Sequence, residues 1–193
     1  KVTSSSRSAV ESLTKIAESD KYHNETRQLA QDIIDAYSVL TKDSKIEKLI
    51  EIVDKTLKQD PDAKILLYTK HPTTLKYIVE KLIPYNLKIV EFVGGLTREE
   101  KTERISQFRK DSQIMISTET GAEGLNFQFC NVLINYDLPW NPMSVEQRIG
   151  RLDRIGQKRD MYIYSLATKD TMEEHVVDLI INKMCCIGLV IGE

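Results

Sequence analysis

The chain has 193 residues, 27 Lys and Arg against 29 Asp and Glu, a formal net charge of −2 and 41% hydrophobic residues. That suffices for one domain with a real core, and it excludes a surface that is basic everywhere, so any nucleic-acid contact must be a local patch. No apolar run is long enough to span a membrane, Cys130, Cys185 and Cys186 have no metal-ligand spacing, and the start at Lys1, without a signal-peptide pattern, leads us to expect a reduced intracellular piece of a longer polypeptide.

Residues 1–60 read as helix throughout. Apolar residues recur at helical spacing in Val10, Leu13, Ile16 and Ala17, in Leu29, Ile33, Ile34 and Tyr37, and in Ile46, Leu49, Ile50, Val53 and Leu57. Asp43 or Ser44 is the expected N-cap of the third set, with Glu47 placed for a capping box. Gln59-Asp60-Pro61-Asp62 breaks the pattern, and strands then alternate with helices. The expected strands are Lys64 to Tyr68, Leu87 to Val93, Gln113 to Ser117, Val132 to Tyr136 and Met161 to Ala167. Helices are expected from Thr73 to Ile83, from Arg98 to Arg109, after Pro142, and from Thr171 to Met184. Alternation with nearly all-apolar strands implies an α/β fold, a parallel sheet with helices on both faces. The expected division is a helical segment over 1–60, the sheet lobe over 61–170, and a bracing helix and tail over 171–193.

Ligands of such sheets bind beyond the carboxyl ends of the strands. The residues with chemistry cluster there: Thr69-Lys70-His71, Gly94-Gly95, Ser117 to Asn126 and Asp137 to Pro142. Around Gly121 and Gly124 backbone N–H groups can approach a phosphate, and Asn126 can bond a ribose hydroxyl; a turn using glycine for geometry alone is the other reading. Trp140, between Pro139 and Pro142, is either a packing anchor or part of a rigid loop that couples a nucleic-acid contact to the next helix. In Gln147 to Gln157, read as one helix, Gln147, Arg151 and Arg154 share a face at i, i+4 and i+7, Ile149, Leu152 and Ile155 can be buried, and Gly156 ends the helix in a left-handed cap. Two arginines fixed on a rigid element suit a phosphate that gains charge during transfer; a solvated basic face is the alternative. The three histidines are scattered, and no metal site is expected.

Combined, these segments resemble the second RecA-like lobe of superfamily-two helicases of the Swi/Snf type. Lys64-Ile65-Leu66-Leu67-Tyr68-Thr69 is similar to motif IV, Ser117 to Asn126 to motif V with Ala122 in place of a glycine, and Gln147 to Gln157 to motif VI. Asp137-Leu138-Pro139-Trp140-Asn141-Pro142 resembles the family's Asp-x-Pro-Trp-Asn-Pro segment, and Gly95 with Phe108 fits the stretch between motifs IV and V, where Lys101 replaces arginine. The resemblance covers residues 44–184, and Arg148, Asp153 and Asn126-Phe127-Gln128-Phe129 look most like the RapA-like prokaryotic branch.

The resemblance implies an ATP-dependent translocase on double-stranded DNA, cytoplasmic or, in a eukaryote, nuclear. It makes Arg151 and Arg154 the arginine fingers and Gln147 an organiser of the nucleotide. Gly121, Glu123, Gly124 and Asn126 lie on the nucleotide side, and Thr69, Lys70, Gly95, Ser117, Thr118 and Trp140 on the DNA side. No Gly-x-x-x-x-Gly-Lys-Ser/Thr occurs in the chain, so ATP and Mg are implied to be held mainly by a first RecA-like lobe of the same polypeptide. RNA polymerase or another DNA-bound protein is the implied further partner. Two alternatives stand: a non-catalytic DNA- or protein-binding lobe of a degenerate helicase-like protein, and an RNA-unwinding helicase, which the Trp loop and motif VI disfavour.

Overall fold

The structure, a computed structural model, describes residues 4–39, 42–119, 124–153, 156–157, 159–171 and 173–181. Three helices come first: α1 (Ser6–Ala17), α2 (Asn24–Ser38) and α3 (Ser44–Gln59). The alternating part follows as β1 (Ile65–Thr69), α4 (Pro72–Leu82), a 3-10 turn (Ile83–Tyr85), β2 (Ile89–Phe92), α5 (Arg98–Lys110), β3 (Ile114–Thr118), β4 (Val132–Asn135), α6 (Pro142–Ile149) and β5 (Tyr162–Ser165). Residues 173–181 are again helical.

Asp43 caps α3 by accepting from Ile46 N at 3.2 Å. With Asp43 as N-cap, the third helical position is Ile46, so Glu47 falls one residue late for the expected capping box. The reciprocal box forms instead at α5, between Thr97 and Glu100. Of the apolar set on α2, Leu29 and Ile33 are exposed and Ile34 and Tyr37 half-buried, and Ala30, outside that set, is the buried residue of the helix, because α2 pairs mainly with α1 and stands off the sheet.

All five strands are parallel, in the order β2-β3-β1-β4-β5. Period-two alternation splits their side chains between two faces. Ile65, Leu67, Ile114, Ile116, Val132 and Ile134 face α3 and α4, meeting Ile46, Leu49, Val53, Leu75 and Ile78. Leu66, Tyr68, Met115 and Leu133 face the other side with Phe92, Phe108, Phe127 and Leu152. Each fully buried aliphatic side chain contributes about 1.5–3 kcal/mol, which makes α3 an integral part of the sheet's core. Phe108, Phe127 and Phe129 close one end through edge-to-face contacts at 5.4–6.4 Å. The expectation of strands covered on both faces holds for β1, β3 and β4 but not for β5, an edge strand whose Tyr162 and Ile163 are exposed.

The chain leaves β1 for β2 and β3 on one side, then crosses to β4 and β5 on the other. The switch therefore lies between β1 and β4, and the crevice beyond their carboxyl ends is where this topology places a ligand.

Candidate functional site

The chain beyond β4 stays beside the chain beyond β1, because Tyr136 N and Asp137 N both donate to Tyr68 O, at 2.9 and 3.3 Å. Asp137, 3% exposed, gathers the crevice around itself. Its Oδ2 accepts from Thr69 Oγ1 at 2.6 Å, Lys70 N at 2.8 Å and Ser4 Oγ at 2.7 Å. Lys45 Nζ lies 3.7 Å from Oδ1, and 3.1 Å from the carboxylate of Glu173. One carboxylate thus joins the ends of two strands to the start of α1, to α3 and to the C-terminal helical residues. Burial first, then the charges of Asp43 and Asp137, push the neighbouring Tyr136 hydroxyl well above its ordinary pKa, so it stays neutral.

A second buried charge faces the same edge. α6 starts at Asn141, whose side chain accepts from Met143 N at 3.0 Å. Its last turn carries Arg148, 4% exposed, which reaches across three strand ends. Arg148 Nη1 donates to Asn135 Oδ1 at 2.7 Å and Asp137 O at 3.1 Å, and Nη2 to Glu119 Oε1 at 2.7 Å. The guanidinium stacks 4.6 Å from the Tyr68 ring centroid. Burial pulls its pKa down and Glu119 pulls it back up; an arginine stays charged either way. Burial pushes the Tyr68 hydroxyl up to about 12, opposed by the charges of Arg151 and then Arg148. Both cations therefore act at the end of β1.

The single arginine helix expected from Gln147 to Ile155 does not form. α6 stops at Ile149 with Gly150, a poor helix residue, as C-cap; the Gly150 N–H closes the last turn on Glu146 O at 2.8 Å. The chain continues in tight turns, with Arg151 N bonding Arg148 O at 3.2 Å and Leu152 N bonding Ile149 O at 2.8 Å. Gln147 and Arg151 thus do not stand on one continuous helix: Gln147 is exposed on α6 and Arg151 half-buried in the turns beyond it. Gly156 does adopt a left-handed conformation, φ +103°, but well past the end of α6. Leu152 is buried as expected. Phe127 N bonds Arg151 O at 3.0 Å, and Gln157 Nε2 bonds Gln128 O and Cys130 O at 3.0 Å, which pins the arginine turn to the loop that leads into β4.

The other candidate residues divide by exposure. Thr69, Ser117 and Thr118 are buried; Thr69 donates to Asp137 and Ser117 Oγ to Thr118 O at 2.9 Å, so the hydroxyls of Thr69 and Ser117 fix the strand ends internally. Lys70 is exposed, with Nζ 5.8 Å from the Trp140 ring centroid, and Trp140 is 65% exposed, which rules out its reading as a buried anchor. Gly95, after edge strand β2, takes φ +87° in an open turn that a side chain at that position would strain. Gly124 takes φ +76°, and Asn126 is exposed with its Oδ1 accepting from Gln128 N at 3.0 Å. Gly121, Glu123 and Arg154 lie outside the described residues. Among the described residues no helix is long and apolar enough to cross a membrane, and no group of three His, Cys, Asp or Glu is arranged to hold a metal.

Glu119, Asp137 and Arg148 lie in the segments marked by the sequence but were given no part in the site there, and Lys45 and Glu173 lie outside those segments. For Arg148 a signal existed: with Val145, Ile149 and Leu152 it lies on the apolar stripe of the helix and the turn after it, where a charge needs partners.

A model of the helicase conserved C-terminal domain matches residues 44–156. The chain is 42% identical over 161 residues to an uncharacterized ATP-dependent helicase, YqhH, of Bacillus subtilis, covering 83% of this chain and 28% of that protein. It is 37% identical over 135 residues to the RNA polymerase-associated protein RapA of Vibrio campbellii, covering 68% of this chain and 14% of RapA. The chain thus spans less than a third of either relative. Among solved structures, the C-terminal part of the Fun30 ATPase domain superposes with a TM-score of 0.61 at 21% identity, over 91% of this chain and 65% of that one, which supports the RecA-like fold.

Proposed function

This chain belongs to the helicase conserved C-terminal domain family, and we propose that it is the second motor lobe of an ATP-dependent translocase on double-stranded DNA. The observation that carries the reading is the placement of Arg151. It stands directly after a helix anchored by a buried arginine, beside the β1–β4 crevice, with its carbonyl fixed by Phe127 N. The ATP-dependent helicase relative supports the hydrolase class, and the RapA relative supports RNA polymerase or another DNA-bound protein as a partner.

In this reading Arg151 and Arg154 hold the charge of the transferring phosphate from across a cleft, Gln147 orients it, and Asn126 lies toward the ribose. Gly121, Glu123 and Gly124 allow the close approach. The described residues fit such a role: a cation at the strand ends, an exposed amide on α6, and a glycine with positive φ next to Asn126. Magnesium-bound ATP, held mainly by the first lobe, supplies the phosphoryl group. Positioning and charge stabilisation dominate such transfers, and a finger arginine is worth about 10³ to 10⁵ in rate. Lys70, Trp140 and Gly95 form the DNA-facing edge, with Thr69, Ser117 and Thr118 setting its shape. Contacts to phosphates carry no base information, so movement is largely sequence-independent.

The test is Arg151→Ala, and separately Arg154→Ala, in a polypeptide carrying both lobes. DNA-stimulated hydrolysis should fall at least about 10³-fold with duplex affinity changed less than about threefold. Wild-type turnover in either variant would overturn the assignment.

A further inference from the structure

The loop that leaves β3 is tied to the arginine turn at both of its ends. On its outgoing side the tie is backbone, Phe127 N to Arg151 O at 3.0 Å. On its incoming side the tie is ionic, Glu119 Oε1 to Arg148 Nη2 at 2.7 Å. The two ties differ in kind. A backbone bond joins neutral groups, whereas an ion pair responds to the charges and salt around it.

We propose that Glu119 is a positioning residue for phosphoryl transfer, whose carboxylate acts through Arg148 to set the placement of the arginine turn. The proposal rests on the motor-lobe reading above. The path is short and continuous. The carboxylate holds the guanidinium, Arg148 occupies the last turn of α6, and Arg148 O accepts from Arg151 N at 3.2 Å. Gly150 lies between the two arginines, without a side chain to stiffen the joint.

Exposure identifies which partner is adjustable. The Arg148 side chain is 5% exposed and held from the sheet by Asn135 Oδ1 and Asp137 O, while that of Glu119 is 45% exposed. The other two acceptors of Arg148 are neutral. Without Glu119 the buried cation keeps no hydrogen-bonded anion among the described residues, and its best response is to draw toward water, carrying the end of α6 with it. A displacement of about 1 Å at a catalytic group costs on the order of a hundredfold in rate.

The experiment uses a polypeptide carrying both lobes and measures ATP hydrolysis with saturating duplex DNA, the KM for ATP, and duplex affinity. Glu119→Gln keeps the shape and removes the charge. Its kcat should fall about tenfold to a hundredfold, with KM and duplex affinity within about twofold. Glu119→Asp should recover part of the loss. Arg148→Lys should slow hydrolysis comparably, and the double variant Glu119→Gln, Arg148→Lys should be no slower than the slower single variant, because both break one link. A purely structural role would lower the melting temperature of Glu119→Gln along with kcat; a half-exposed residue used for positioning leaves it nearly unchanged. Wild-type kcat in Glu119→Gln, duplex affinity falling as far as kcat, or independent losses in the double variant would each overturn the proposal. Absence of DNA-stimulated hydrolysis in the wild-type protein would instead overturn the motor-lobe reading, and this proposal with it.

Discussion

Replacing Asp137 by alanine removes the acceptor shared by Thr69, Lys70 N and Ser4, and takes away one of the two carboxylates beside Lys45, which keeps Glu173. Hydrogen bonds to a charged group are worth about 1.5–3 kcal/mol each, but these three share one oxygen and do not add. Ser4 Oγ also keeps Thr74 Oγ1 at 2.8 Å, and Lys45 keeps a carboxylate at 3.1 Å. The cost should therefore sit at the low end of the about 3–5 kcal/mol seen when a buried pair is broken. A loss of about 3 kcal/mol is a large part of a typical 5–15 kcal/mol stability. Urea unfolding followed by circular dichroism reads it; Trp140, 65% exposed, is a poor fluorescent reporter of the core. With a slope of about 2 kcal/mol per molar urea, the midpoint should fall by about 1.5 M. Asp137→Asn, which keeps one acceptor, should lose about half as much. A shift below about 0.25 M for the alanine variant would refute the role of Asp137 as the hub of the crevice.

Thr97→Ala removes one half of the capping box on α5 and should cost about 1 kcal/mol, lowering the melting temperature by about 2–4 °C, with Thr97→Ser close to wild type. An unchanged melting temperature would show that the box contributes nothing. Burial pushes the Cys130 thiol from 9.0 up to about 12 in the folded chain. The unfolded chain therefore loses this proton first as pH rises, so stability present below pH 9 should fall between 9 and 12, by up to about 1.4 kcal/mol per pH unit. Cys130→Ala should flatten that slope between about pH 9 and pH 10, below the region where Tyr68 adds its own contribution. Equal slopes in the two proteins would contradict the attribution to Cys130.

Where the sequence carried local signals, the architecture was legible. Runs such as Ile65 to Thr69 and Ile114 to Thr118 are apolar because both faces are covered, and the break at Gln59 to Asp62 ends α3 where the periodicity ends. Their shared location at the strand ends also marked the region of the site. What was not legible depends on distant partners. Ser4, Lys45, Thr69, Asp137 and Glu173 are far apart in the chain and meet only because the strand order brings β1 beside β4. The arginine segment departs from its pattern for a local reason: its helical spacing runs unbroken through Gly150, but the helix stops there, and the continuing turns preserve the burial of Leu152 without one continuous helix. Arg148 was passed over because arginine is normally exposed, whereas here Asn135, Glu119 and the Asp137 carbonyl satisfy it in the interior.

In the motor-lobe reading, this lobe supplies arginines to a site completed by another lobe. Its most direct test is the rate of ATP hydrolysis by the 193-residue chain alone and by a polypeptide carrying both lobes, each with and without duplex DNA. The lone chain should show background hydrolysis under both conditions, and DNA-stimulated turnover should appear only when the two lobes are joined. Turnover by the lone chain would contradict that reading.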